Sequence, residues 1–123
     1  MTDHKNHNKT IGSLKKRADF LRVQSADKKW VTKSFIIRQD TRNKNTFCET
    51  DIRYGLTVTK KIFKNATDRN RVKRRLRAVV QKHLPEIGDT NSDYVFIGRK
   101  DTKTRDFKDI ENDLKWAIKR LSS

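Results

Sequence analysis

Ile52-Arg53-Tyr54-Gly55-Leu56-Thr57-Val58-Thr59, then Lys60-Lys61, then Arg69-Asn70-Arg71-Val72-Lys73-Arg74-Arg75-Leu76-Arg77 are the residues that decide the fold of this chain. In the first run Ile52, Tyr54, Leu56 and Val58 alternate with Arg53, Gly55, Thr57 and Thr59. Period-two spacing predicts a strand with the first set facing the core. Gly55 on the opposite face leaves room for a close approach by backbone or ligand, or meets a packing need. The Thr67-Asp68 pair then predicts the cap of a helix over 69–83. At the helical period Val72, Leu76, Val79 and Val80 gather into a core stripe. Lys73, Arg77, Asn70 and Arg74 form a polar ridge about 100° wide beside it, with Arg71 and Arg75 behind.

That ridge is costly by itself. Like charges one helical turn apart repel by about 0.2–0.5 kcal/mol per pair. Lys73–Arg77, Arg71–Arg74, Arg71–Arg75 and Arg74–Arg77 all do so, with only Asp68 nearby to offset them. Phosphates are the natural compensation: arginine presents a planar fork of donors, and Asn70 can donate or accept at a sugar or base.

Downstream, Pro85 and Gly88 end the helix and open a turn. Tyr94–Ile97 is a continuous apolar run suited to a sheet interior, so 52–97 reads as strand, helix, parallel strand. The general rule makes that crossover right-handed. Asp106 predicts the cap of a last helix in which Phe107, Ile110, Leu114, Ala117, Ile118 and Leu121 share one side. Trp116 lies off that stripe, and Lys115, Lys119 and Arg120 suit the helix C-terminus. Upstream, Ser13 predicts a cap for a helix over 14–25, with Leu14, Ala18 and Leu21 at helical spacing. Phe20 beside that stripe is either a core aromatic or a platform for a nucleotide base. Trp30–Val31 is a weak strand candidate and Ser34–Arg38 a better one; residues 40–46 read as a polar turn. Residues 1–12 are expected to be a flexible N-terminal tail, and 13–121 a single domain.

The chain has 123 residues, 31 Lys/Arg against 15 Asp/Glu, and a net charge of +16. Residues 1–83 hold 23 of the basic residues against 7 acidic ones, whereas 84–123 hold 8 of each, so the whole excess belongs to the first two-thirds. With 33% apolar and 37% charged residues the composition leans toward disorder; the apolar periodicity argues for a folded domain. The basic excess points to a polyanionic partner, nucleic acid first and an anionic membrane surface second. No run approaches the roughly 20 apolar residues of a membrane span, and no membrane partner is expected. The N-terminus MTDHKNHNKT lacks the apolar segment of a signal peptide, and the single cysteine, Cys48, allows no internal disulfide, so a cytoplasmic location is expected.

Catalytic groups are sparse. His4 and His7 stand in the polar tail, and His83 falls within the apolar stripe of the central helix. Cys48 has no histidine nearby in sequence. The acidic residues of 101–113 are spread around a helix start and support a two-metal site only weakly. Four glycines form no phosphate loop. These features suit a helper that positions RNA better than a self-contained nuclease.

The run Arg53–Lys61 and the run Arg69–Arg77 together closely resemble the protein component of bacterial ribonuclease P. Leu14–Val23 fits that family's first helix, Asp93–Arg99 fits its last strand, and the likeness covers about residues 13–121. The resemblance implies an α/β (α+β sandwich) domain of order αβββαβα, ribosomal protein S5 domain 2-like, with a mixed four-stranded sheet and a left-handed crossover. It implies a partner, the ribonuclease P catalytic RNA, one per protein, and a substrate, precursor tRNA, whose 5′ leader is removed. It implies Mg²⁺, bound mainly by RNA subunit and substrate, and no catalytic residue on the protein. Carried over, Arg69, Asn70, Lys73, Arg74 and Arg77, with Lys60 and Lys61, are the implied contacts to the catalytic RNA. Phe20, Phe35, Arg53 and Thr57 are the implied leader contacts. The chain departs from the family at Lys64, where glycine is usual, and at Gln24, where an aromatic is frequent. The second departure leaves part of the leader stacking absent or supplied by Trp30 or Phe35. The alternatives are a ribosomal or general RNA-binding protein, a DNA-binding regulator and a protein-only ribonuclease.

Overall fold

A computed structural model describes residues 8–42 and 49–122. Five strands form one mixed sheet: β1 (Ile11–Ser13), β2 (Lys28–Val31), β3 (Phe35–Thr41), β4 (Ile52–Thr57) and β5 (Ser92–Gly98), in the order β1-β4-β5-β3-β2. Three helices complete it: α1 (Arg17–Gln24), α2 (Ala66–Ile87) and α3 (Phe107–Leu121). β4 and β5 run parallel across the α2 crossover, as the sequence predicts, while β3 pairs antiparallel with both β5 and β2.

β5 is central, which explains its unbroken apolar run: Tyr94, Val95 and Phe96 are all fully buried because both faces of the sheet are covered. On one face α2 and α3 pack against Phe35, Ile37, Ile52, Tyr94 and Phe96. Val72, Leu76, Val79, Val80 and Leu84 are the buried stripe of α2, and Ile110, Leu114, Ala117, Ile118 and Leu121 that of α3. On the other face α1 alone covers the sheet, through a small cluster of Leu14, Val23 and Val95 with Phe20 and Ile97.

The sequence expectations are corrected in several places. The sheet has five strands, not four, because Ile11–Ser13 adds a parallel edge strand to β4. The order is therefore βαβββαβα, and residues 9–12 of the expected tail are held against the sheet and α2. Lys9 donates its backbone N–H to Pro85 O at 2.8 Å, and Thr10 exchanges hydrogen bonds with Asp51. Ser13 belongs to that strand and caps nothing; α1 starts four residues later, after Lys16. The buried residue of α1 is Val23; of the predicted stripe, Leu14, just before the helix, is buried, while Ala18 is exposed and Leu21 is 50% exposed. α2 begins at Ala66 behind Asn65, with Thr67 and Asp68 inside its first turn, and continues past Pro85 to Ile87. Leu84, fully buried, and Ile87, packed against the core, hold that last turn together where proline removes a donor. His4, His7, Cys48 and most of the 40–46 turn lie outside the described residues.

Candidate nucleic-acid interface

The face of the sheet under α1 is built by alternation. Register places Arg53, Gly55 and Thr57 of β4 beside Asp93, Val95 and Ile97 of β5, and these beside Asp40, Arg38 and Ile36 of β3. α1 is only 8 residues long and offers one fully buried side chain, too little apolar area to fix its position. Charge does the rest. The fully buried Asp93 carboxylate accepts from Arg53 Nε at 3.0 Å and Nη2 at 2.7 Å, and from Arg22 of α1. Arg42 Nε lies 3.5 Å away. Arg22 also pairs with Asp40, and Asp19 lies 3.6 Å from Arg53 and 3.7 Å from Arg22. Burial opposes the charge on Arg22, yet hydrogen bonds and attraction from Asp93 and Asp40 outweigh it and raise its pKa above the ordinary arginine value. Three arginines and three aspartates thus lock α1 over one end of β3, β4 and β5.

Phe20 lies directly on Gly55. A Cβ at Gly55 would sit 2.4 Å from the Phe20 ring, so only glycine lets the aromatic settle there. β1 ends opposite Tyr54, and beyond that residue the outer edge of β4 has no strand neighbour among the described residues. A cleft of about 170 Å³ opens at this edge, with Phe20 and Leu14 on one wall and Lys73 and Arg77 of α2 on the other. The two sequence features, aromatic and basic ridge, therefore meet in one place. Past α1 the uncovered end of the same sheet face forms a larger groove of about 630 Å³. Ile36, Ile62 and Ile97 line it, with Lys33, Lys61 and Lys100 around them.

The basic residues divide by use. Arg69 donates to the carbonyls of Phe63 and Lys64 at 2.8 and 2.9 Å and so pins the loop before α2. Arg75 donates to the carbonyls of Thr102 and Arg105, tying α2 to the short 3-10 turn at Lys100–Lys103. Asn70, Arg74 and Arg77 are exposed and Lys73 is half-buried; among the described residues no carboxylate pairs with Lys73, Arg74 or Arg77. Asp68, the expected offset, pairs with Lys103 at 3.1 Å instead. Lys60 and Lys61 are exposed just after β4. Of the predicted binding set, Lys73 and Arg77 line the cleft with Phe20, Lys61 lines the larger groove, Asn70, Arg74 and Lys60 are exposed, and Arg69 is bonded into the loop before α2.

Of the predicted leader residues, Phe20 and Thr57 stand on the α1 face; Thr57 Oγ1 accepts from Gln24 Nε2 at 3.3 Å. Arg53 is on that face too, but its guanidinium is committed to Asp93 and Asp19. Phe35 is a correction. It is buried on the opposite face, edge-on to Phe96 with ring centroids 5.6 Å apart, because odd-numbered residues of β3 point to α2 and α3. Trp30, opposite Ile37, shares that face, so neither aromatic replaces the one absent at Gln24. His83 is buried with Nε2 2.7 Å from Glu111 Oε2, a link between α2 and α3. Lys82 pairs with the same carboxylate at 2.8 Å, and together the hydrogen bonds from Lys82 and His83 hold the Glu111 carboxyl down to about 2. Sequence reasoning missed the Asp93 network and the groove cations Lys33 and Lys100. The only local signal was an aspartate opening an apolar strand, where a fully buried charge demands a partner.

The family model for ribonuclease P matches residues 9–122. The chain is 39% identical over 113 residues to the ribonuclease P protein component of Paramagnetospirillum magneticum, covering 92% of this chain and 84% of that one. It is 38% identical over 112 residues to that of Ruegeria pomeroyi, covering 90% and 86%. Among solved structures it is similar to the RNase P protein of Staphylococcus aureus, with a TM-score of 0.68 at 29% identity, covering 88% and 93% of the two chains. The RNase P protein of Thermotoga maritima gives 0.70 at 26% identity, covering 88% and 96%.

Proposed function

The chain belongs to the ribonuclease P protein family, the protein component of an endoribonuclease, and from that membership we propose that it binds the catalytic RNA and the 5′ leader of precursor tRNA at adjoining surfaces. The observation that carries this reading is the cleft where Phe20, seated on Gly55, faces Lys73 and Arg77. Lys73, Arg74, Arg77, Lys60 and Lys61 neutralise RNA backbone, with the salt dependence that counterion release imposes, and Asn70 hydrogen-bonds a sugar or base beside them. Phe20 stacks on a leader nucleotide, and Thr57 with Gln24 offers a polar edge beside it in place of a second aromatic. The isoleucine-lined groove with Lys33, Lys61 and Lys100 continues the path for a single strand.

The protein's part in hydrolysis is positioning: a leader held at a fixed distance from the catalytic RNA presents the scissile phosphodiester in one orientation. Magnesium, when bound, would supply water activation and stabilisation of the leaving oxygen in such a reaction. The carboxylates of the cleft face, Asp19, Asp40 and Asp93, are each paired with arginine, so the residues present do not suit a magnesium site there and the ions are held by RNA and substrate. One copy of the chain serves one RNA, in the cytoplasm.

The test is differential binding. Phe20→Ala is expected to lower affinity for leader-bearing precursor tRNA toward that for mature tRNA while leaving catalytic-RNA affinity intact. Arg74→Ala, on the exposed ridge outside that cleft, is expected to do the reverse. Equal loss on both ligands from either variant would contradict the division of surfaces.

A further inference from the structure

The chain has two tryptophans, and both lie against one guanidinium. Arg120 Cζ sits 5.1 Å from the ring centroid of Trp30 and 5.4 Å from that of Trp116. Trp30 belongs to the edge strand β2 and packs against the core. Trp116 lies one helical turn before Arg120 on α3 and is 52% exposed, the most exposed of the large apolar residues among those described. The contact between Arg120 and Trp30 already staples α3 to the sheet edge. The second indole adds a ring held in place by the cation yet left half in water.

The surroundings of that ring are positive. Lys115 is exposed on the same end of α3, beside Arg120; Lys119, also exposed there, has a partner of its own. The acidic residues of the helix that come closest along the chain are engaged elsewhere: Glu111 with Lys82 and His83, Asp113 with Ser34 at 2.6 Å and Arg105 at 3.3 Å. A fixed aromatic face among cations suits an unpaired base with its phosphates. Tryptophan and arginine are also common at protein interfaces, but lysine is depleted there, so the cationic surroundings favour RNA. The α1 face carries the leader in the reading above, and α3 lies across the sheet from it. RNA reaching this side is therefore the larger partner.

Resting on that RNA-binding reading, we propose that Trp116, held by Arg120 and flanked by Lys115, is a stacking platform for an unpaired nucleotide of the catalytic RNA. Because both tryptophans are at this site, intrinsic fluorescence reports on it alone. The full chain would be titrated with cognate catalytic RNA, with retention on a filter measured in parallel. Emission should be quenched along the binding curve, and heparin, which has charge but no bases, should not quench it. Trp116→Phe, in which Trp30 alone emits, should lose most of the quench and keep affinity. Trp116→Ala should weaken catalytic-RNA binding about 5-fold, or about 1 kcal/mol, the low end for one base–aromatic stack. RNA retained with unchanged emission, equal quenching by heparin, quenching only when precursor tRNA is added, or a change that follows protein concentration without RNA would each overturn the proposal. No retention of RNA would overturn the underlying reading, and this proposal with it.

Discussion

Replacing Asp93 with asparagine tests what holds α1 in place. The carboxylate is fully buried and faces Arg22, Arg53 and Arg42. Asparagine keeps the shape but turns one acceptor into a donor aimed at guanidinium groups. Removing one member of a buried ion pair costs about 3–5 kcal/mol, chiefly for the charge left behind. Here the remaining cations keep other partners. Arg22 keeps Asp40, Arg53 keeps Asp19 at 3.6 Å, and Arg42 keeps the carbonyls of Thr50 and Asp51. The low end, about 3 kcal/mol, is therefore expected. For a domain of this size that lowers the melting temperature by about 10 °C. Arg22→Gln alone, at a side chain 36% exposed, should cost about 1 kcal/mol or less because solvent screens it. The two changes together should cost less than their sum, since the first removes the partner that the second would strand. Thermal unfolding followed by circular dichroism, with all four proteins of the cycle, measures this. A melting temperature for Asp93→Asn within about 2 °C of the parent, or strict additivity in the cycle, would refute the view that charge pairing docks α1.

Gly55→Ala should displace the Phe20 ring, destabilise the domain by about 1–3 kcal/mol as overpacking does, and weaken binding of leader-bearing precursor tRNA. Combining it with Phe20→Ala should restore stability but not leader binding, as denaturant titration and filter binding would show. Arg74→Ala with Arg77→Ala should make the log–log salt dependence of catalytic-RNA binding shallower by about 1.5, two lost phosphate contacts' worth, with the functional loss greatest at low Mg²⁺. Glu111, with its carboxyl held from 4.5 down to about 2, contributes stability that is full above pH 4.5 and lost as pH falls through 2. Glu111→Gln should flatten the stability profile across that window, checked by acid titration of the melting temperature.

The central elements were legible because periodicity and burial agree there. β5 and the stripe of α2 bury the residues their spacing selects; β4 buries Ile52 and Tyr54 but Leu56 and Val58 only in part, and α3 buries its stripe except Phe107, which is 37% exposed at the helix start. The exposed ridge of α2 was legible for the same reason: charges that repel along one helix and find no acid nearby have to face outward. What could not be read was set by contacts distant in sequence. α1 takes its orientation from Asp40 and Asp93, which lie 18 and 71 residues from Arg22, and no pattern within eight residues encodes that. β1 carries only one large apolar residue, Ile11, in three, so it becomes a strand through pairing with β4 rather than by its own pattern. Phe35 looked available because a short apolar strand shows which residues alternate but not which face each set takes.

The most direct test of the whole account is cleavage of a 5′-leader-bearing precursor tRNA by the cognate catalytic RNA at low Mg²⁺, with and without this chain. Leader release that depends on the protein, with no cleavage by the protein alone, is the predicted result. Cleavage left unchanged by folded protein added to competent RNA would contradict it.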